Sequence, residues 1–177
     1  MKSKIIVAFI LGCLCLLSFA QLTLVKQKDR DVHTISLPQS LQEEIILKTS
    51  ALSDVEIIDY AINKTAQLFD YSFTESINLN GISKAHCVTY SKLCATICNI
   101  AFQNHNINSE AKCVVGYVAL GNINLCNVGA KLCRKYSNYF INHDFVEING
   151  SDYTIFVDPT AYDLINSDLK FIKKHGQ

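Results

Sequence analysis

The chain has 177 residues with 16 basic and 16 acidic side chains, so its formal net charge is zero. It contains no block of basic residues, which argues against nucleic acid or an anionic membrane surface as a partner. With only 2 prolines and 7 glycines, the composition is typical of a folded chain and not of a disordered segment or a linker.

The first 20 residues have the pattern of an export signal. A short basic start is followed by an apolar run of about 15 residues, fewer than the roughly 20 that a membrane span needs. Ser18-Phe19-Ala20 offers the small residues that a signal peptidase requires. We predict a signal peptide over residues 1–20, a secreted or periplasmic protein, and no membrane span after cleavage. We rank an uncleaved anchor and lipid attachment at Cys13 below this interpretation.

The residues after the predicted signal peptide are enough for one domain with its own core. We predict an N-terminal extension over residues 21–50, a folded domain over residues 51–165 and a C-terminal tail over residues 166–177. Within the extension, Pro38 interrupts regular structure, and residues 45–47 fit either a short strand or a helix.

The first clear element is a helix over roughly residues 54–70. Ser53 and Glu56 have the spacing of a capping box, in which each side chain bonds the other residue's backbone N–H. Apolar residues then recur at helical spacing, at Ile58, Ile62, Ala66 and Phe69. Asn63 begins a glycosylation sequon, which matters only in a host that glycosylates.

A second helix is predicted from about His86 to Gln103. Its polar positions form one narrow stripe that we expect to face water, and apolar residues cover much of the rest, so the helix should be largely buried. The stripe consists of Lys92, Thr96, Asn99 and Gln103. Cys87 lies in the first turn, where free N–H groups and the helix dipole favour a thiolate. A buried apolar cysteine is an equally good interpretation of Cys87 on this ground alone.

The other cysteines after the signal suggest structural roles. Cys94 and Cys98 lie one turn apart on the second helix, and we interpret both as buried small hydrophobes. Cys126 and Cys133 form either a disulfide or two free thiols. No CxxC pair occurs, so a zinc ribbon has little support.

The second half is predicted to be rich in strands. Residues 111–120 form one, in which Gly116 indicates a bulge or a close backbone approach. Residues 142–148 alternate, with His143 on one face and Asp144 on the other, and Asn149-Gly150 predicts a type I′ hairpin.

The return strand over residues 153–157 ends at Asp158. His143 and Asp158 can therefore lie side by side, with the carboxylate holding the imidazole by its Nδ1–H. In isolation, His143 reads as an exposed strand residue and Asp158 as an ordinary turn residue.

Four segments together resemble the transglutaminase-like (papain-like) superfamily. They are Ala85-His86-Cys87 with Tyr90 and the buried helix, the strand 111–117 ending in Gly-Tyr, the histidine strand 142–148, and Val157-Asp158-Pro159-Thr160. The resemblance implies an α+β fold in which a helical lobe carrying the nucleophile packs on an antiparallel sheet. It also implies a catalytic triad of Cys87, His143 and Asp158, and it requires no metal or organic cofactor.

The resemblance implies acyl transfer through a thioester on a peptide or protein substrate. Hydrolysis by a peptidase, deamidase or amidase is the leading expectation. A cross-linking transglutaminase and an inactive binding domain are the alternatives. Ala85, Lys112 and Phe145 depart from the residues common in the family, and the chain has no tryptophan, which leaves the substrate open.

The backbone N–H of Cys87 is the expected first oxyanion donor. His86 is considered as the second, although an exposed turn histidine is the preferred interpretation. The sequence does not determine an oligomeric state.

Overall fold

The computed structural model describes residues 22–72, 74–79, 83–120, 123–124, 143–165 and 170–174. The predicted signal peptide and the predicted pair of Cys126 and Cys133 lie outside these ranges. The strands are β1 (Leu22–Asp29), β2 (Phe69–Tyr71), β3 (Ser83–Ala85), β4 (Glu110–Leu120), β5 (Ile123–Asn124), β6 (His143–Asn149), β7 (Tyr153–Val157) and β8 (Lys170–Lys174). The helices are α1 (Gln39–Thr49), α2 (Asp54–Leu68), α3 (Cys87–Asn104) and α4 (Pro159–Ile165).

The described strands form an antiparallel sheet in the order β1-β4-β6-β7-β8, with β5 beside β4. A short parallel pair, β2 and β3, leads into α3. Helix α3 contacts both the sheet strands β4 and β6 and the helices α1 and α2. The predicted α+β class, helices packed on an antiparallel sheet, is therefore confirmed.

Helix α2 begins as predicted. The Ser53 side chain accepts from the Glu56 backbone, and the Glu56 side chain accepts from the Ser53 backbone at 2.8 Å, so the capping box is complete. The buried residues of the helix face α3, as the 3.6-residue periodicity requires.

Helix α3 is largely buried, as predicted, but its polar stripe does not simply face water. Thr96 is buried and accepts from the Ile35 backbone N–H at 3.0 Å. Asn99 bonds both the N–H and the C=O of Ala111 at 2.8 Å. Two of the four polar side chains therefore hold neighbouring backbone to the helix, because buried N–H and C=O groups must find partners. The exposed member is Gln103.

Segments from both ends of the chain join the same sheet. Strand β1, from the interval predicted as an extension, pairs along β4, and β8, from the interval predicted as a tail, pairs along β7. Helix α1 buries Leu41 and Ile45 in the core that also contains α3. The interval 21–50 thus supplies an edge strand and part of the core.

Gly116 lies where β1 and β4 approach closely. A Cβ built on Gly116 would lie 1.9 Å from the Val25 carbonyl oxygen. The register of β1 shifts between Lys26 and Lys28, opposite Gly116 and Val115. The predicted close backbone approach is present, and the irregularity falls in the partner strand.

The hairpin between β6 and β7 has a different turn from the one predicted. Asn149 pairs with Thr154, and the Gly150 N–H donates to the Tyr153 carbonyl at 2.9 Å, so Ser151 and Asp152 form the turn. A turn at Asn149-Gly150 would pair Ile148 with Ser151 and break the observed pairing of Ile148 with Ile155. Burial of the apolar side chains decides the register, and it outweighs the local turn preference.

Strand β6 is also buried more completely than its predicted alternation implies. His143, Asp144, Phe145 and Val146 are all buried, because α3 covers one face of the strand and a smaller apolar cluster with Leu24 and Val114 covers the other. Among the described residues, no helix is both long enough and apolar enough to cross a membrane.

Candidate active site

The first turn of α3 places Cys87 at the edge of the core. Strand β3 leads directly into the helix, and His86 is extended at the N-cap position without a side-chain cap bond. The Thr89 N–H donates to the His86 carbonyl at 3.0 Å, so the N–H groups that an anion could use in the first helical turn are those of Cys87 and Val88. The Tyr90 hydroxyl, one turn further, lies 2.9 Å from the Phe69 carbonyl and 2.5 Å from Asp163 Oδ2. These contacts anchor the cysteine end of the helix to β2 and α4.

The hairpin brings His143 and Asp158 together. Val146 pairs with Val157, so Asp158 follows one step beyond the paired strand and His143 lies diagonally across from it. A diagonal pair is within reach of an imidazole and a carboxylate. The His143 Nε2 and the Asp158 Oδ2 are 2.5 Å apart. The predicted contact is present, but Nε2 makes it, so the prediction that Nδ1 does so is wrong.

The Asp158 carboxylate is fixed from both sides. Its Oδ1 accepts from the backbone N–H groups of Thr160 and Ala161, each at 3.0 Å. Asp158 thereby caps α4, with Pro159 at the first helical position, where a missing N–H costs nothing. One oxygen orients the imidazole while the other holds the start of a helix.

The Cys87 thiol and the His143 imidazole are hydrogen-bonded, and both are nearly enclosed, with 5% and 6% of their surface exposed. Burial acts to raise the pKa of Cys87, but hydrogen bonds from His143 and His86 and the charge of His143 outweigh it, so the pKa lies below its ordinary value. Burial acts to lower the pKa of His143, yet the charge and hydrogen bond of Asp158 and the contact with Cys87 raise it well above its ordinary value. These directions favour a thiolate–imidazolium pair.

Two further ionic contacts border Cys87 and were not predicted. Asp144 lies with its Oδ2 3.9 Å from the Cys87 sulfur, and Arg30 binds the same carboxylate through two nitrogens. His86 Nε2 lies 3.2 Å from Glu75 Oε1. Arg30 is 114 residues from Asp144 in the chain, and no local pattern connects them.

His86 is not the freely exposed turn histidine that we expected. Its side chain is only one-third exposed and is paired with Glu75, which also bonds Thr89. The hydrogen bond with Cys87 raises the pKa of His86, burial opposes this, and the charge of Glu75 adds to it. A charged imidazole next to Cys87 can therefore donate to an anion there.

The other described cysteines are buried, free thiols. Cys94 and Cys98 lie in the core, as predicted. Burial raises the pKa of Cys113 to about 12, and its thiol donates to the His33 carbonyl. Only Cys87, among the described cysteines, has a hydrogen-bonded imidazole that lowers its pKa. Within the described ranges, no cluster of histidine, cysteine and carboxylate residues could hold a metal ion.

Comparison of the chain with protein families, with curated protein sequences and with solved structures finds no match. A functional interpretation therefore depends on the contacts around Cys87 and on the sequence motifs that carry them.

Proposed function

We propose that this protein is an exported cysteine-nucleophile enzyme of the transglutaminase-like (papain-like) type, which hydrolyses or transfers acyl groups from amide bonds of peptide-like substrates. Cys87 is the nucleophile, His143 the general acid and base, and Asp158 the residue that orients His143. The observation that carries the proposal is the 2.5 Å bond between His143 Nε2 and Asp158 Oδ2, with Cys87 hydrogen-bonded to the same imidazole at a helix N-terminus.

In the first half-reaction, the Cys87 thiolate attacks the amide carbonyl, forming a C–S bond and a tetrahedral oxyanion. His143 then transfers its proton to the amide nitrogen as the C–N bond breaks and the amine leaves. The acyl group remains as a thioester on Cys87. In the second half-reaction, neutral His143 removes a proton from water or from an acceptor amine, which attacks the thioester and regenerates the thiolate.

Asp158 supports both half-reactions by keeping His143 in one orientation and stabilising its charged form. Its carboxylate is 3% exposed and is held by the two N–H groups of Thr160 and Ala161. A fixed anion beside the imidazole needs no reorganisation when the proton moves.

The oxyanion requires at least two donors. The backbone N–H of Cys87, in the first turn of α3, is the first candidate. The His86 imidazole is the second, since it is hydrogen-bonded with the Cys87 sulfur and Glu75 favours its charged form.

The test is direct detection of the thioester. The mature protein is mixed with a panel of peptides, quenched in acid and analysed by intact-mass spectrometry, with Cys87→Ala as the negative variant and Cys113→Ala as the matched buried-thiol control. We expect an acyl adduct on Cys87 in the wild type and in Cys113→Ala, absent from Cys87→Ala and released as a hydroxamate by hydroxylamine. Breakdown to a free acid identifies a hydrolase, and coupling to a labelled amine identifies a cross-linking enzyme.

The proposal is contradicted if no peptide in the panel gives an adduct and Cys87→Ala binds the same peptides as the wild type does. A binding domain that keeps this fold would then be the better interpretation.

A further inference from the structure

A buried ion pair that the proposed reaction does not use lies beside the nucleophile. Asp144 follows His143 in β6 and is completely buried. Arg30 binds the Asp144 carboxylate in a bidentate contact, with Nε 2.5 Å from Oδ1 and Nη2 2.7 Å from Oδ2. A buried carboxylate is costly without such a partner, and the planar guanidinium is the cation that fits it in this geometry.

The Arg30–Asp144 ion pair is close enough to Cys87 to affect the ionisation of its thiol. The Asp144 Oδ2 that Arg30 binds lies 3.9 Å from the Cys87 sulfur. An uncompensated carboxylate at that distance would repel a thiolate and favour the neutral thiol. The backbone N–H of Asp144 also bonds the Cys87 sulfur, so this residue touches the nucleophile with both its backbone and its side chain.

We propose that Arg30 is a positioning residue for the nucleophile, because it neutralises the Asp144 carboxylate beside the Cys87 thiolate and holds strand β1 to the active site. This inference rests on the proposed function, since it concerns the reactive form of Cys87.

Arg30 reaches the site from the end of β1. Its backbone N–H donates to the Cys113 carbonyl of β4 at 3.1 Å, and its side chain crosses β4 to Asp144 on β6. The interval predicted as an N-terminal extension therefore carries a charge into the active site.

Several other ionisable groups border Cys87 or the ion pair. Among the described residues, His143 and His86 bond the thiol, Asp158 and Glu75 hold those two imidazoles, and Cys113 and Lys92 lie on the β4 and α3 sides. The net effect of removing Arg30 is thus the loss of one positive charge from this group.

The test compares four variants in the mature protein: Arg30→Met, Asp144→Asn, the double variant, and Lys26→Met as a matched control. Lys26 also lies on β1 and also pairs with a carboxylate of β6, Glu147 at 2.5 Å, so its loss removes an ion pair between the same two strands. The readout is the rate of iodoacetamide labelling at Cys87 near pH 6, with circular dichroism and thermal melting as measures of folding.

We expect labelling in Arg30→Met to be about tenfold slower than in the wild type, as a like charge near the thiolate predicts. Lys26→Met should match the wild type. Asp144→Asn should label at least as fast as the wild type, and the double variant should recover to within about twofold of it, since it restores neutrality.

Equal labelling of folded Arg30→Met and the wild type would overturn the inference, as would slow labelling in a folded double variant or in Asp144→Asn. If Arg30→Met does not fold, the double variant decides the matter. Its recovery of fold and labelling supports the role of Arg30, and its failure contradicts it. Absence of low-pH labelling in the wild type would instead contradict the proposed function itself, so the two failures are distinguishable.

Discussion

Asp158 contributes both to the fold and to the proposed chemistry. One of its oxygens caps α4 through Thr160 and Ala161, and the other holds the His143 imidazole. The same carboxylate therefore fixes the position of a helix and the orientation of the proposed base. An asparagine at position 158 would keep an oxygen that accepts the capping bonds but would carry no charge. The two roles of Asp158 can therefore be separated by Asp158→Asn.

We expect Asp158→Asn to fold normally but to lower the acylation rate by about 10²- to 10⁴-fold, the range for loss of an effective acid–base partner. Removing the charge removes the main cause that raises the pKa of His143. Single-turnover kinetics on a peptide identified by adduct formation measure the rate. Asp163→Asn is the control, since Asp163 also lies on α4 but contacts Tyr90. Equal effects of the two substitutions would contradict the role of Asp158.

At the scale of elements, the features that the sequence predicted correctly are local ones. The capping box at Ser53 needs only four consecutive residues, and helix α3 is readable from its own periodicity. The contact of His143 with Asp158 was predicted from the short hairpin between them, whereas Cys87 was added to this pair only by the resemblance to the transglutaminase-like superfamily.

The features that were missed depend on distant partners. Strand β1 contains alternating lysines in its second half, and it pairs with β4 about 90 residues later, so nothing nearby marks it as a sheet strand. The turn at Ser151-Asp152 is set by pairing of buried strand residues and not by turn chemistry. The contact of Arg30 with Asp144 follows only from the placement of β1, so the sequence did not indicate it.

The close packing of β1 on β4 leads to a prediction for Gly116. In Gly116→Ala the new Cβ would overlap the Val25 carbonyl, and backbone would have to move. We expect the free energy of unfolding to fall by about 1–3 kcal/mol, the range for overpacking. Urea denaturation measures it.

Gly150→Ala is the matched control for Gly116→Ala, since the three atoms nearest to its Cβ would all belong to the ring of Tyr153 and not to the backbone. This variant should lose less stability, because a side chain can move more easily than a paired strand. Similar losses in the two variants would contradict the importance of the backbone contact between β1 and β4.

At the scale of the whole molecule, the sheet joins segments from both ends of the described chain around helix α3. The proposed nucleophile, Cys87, lies where the N-terminus of that helix meets the start of β6, and the adjoining carboxylates come from β6 and from the residue after β7. The pKa of Cys87 is lowered and that of His143 is raised in this enclosed site, so the stability of the molecule should depend on pH through them.

The sign of that dependence follows from the number of protons bound. The pKa of Cys87 is lowered in the folded protein, so the folded state releases the thiol proton at a lower pH than the unfolded chain, whose thiol has a pKa of about 8.5. Between those two pKa values the unfolded state binds the additional proton, so the contribution of Cys87 to stability falls as the pH falls. Above about pH 8.5 the unfolded chain has lost this proton as well, and the contribution of Cys87 no longer grows.

We therefore expect the advantage in unfolding free energy of the wild type over Cys87→Ala to grow as the pH rises from about 6 to about 8.5, and to be lost as the pH falls through the lowered pKa of Cys87. Urea denaturation across this range measures it, with Cys113→Ala as the control thiol. A difference that does not vary with pH would contradict a folded thiolate–imidazolium pair.

Activation of Cys87 by His143 is tested most directly by the pH dependence of iodoacetamide labelling at Cys87, in the wild type and in His143→Ala. Mass spectrometry separates the thiols, and Cys113, whose pKa burial raises to about 12, is an internal reference in the same sample. We predict that Cys87 in the wild type labels rapidly well below about pH 8.5, the ordinary pKa of a cysteine thiol, and that His143→Ala abolishes this low-pH labelling. Labelling of Cys87 that rises only near that pH in both proteins would contradict an activated Cys87–His143 pair.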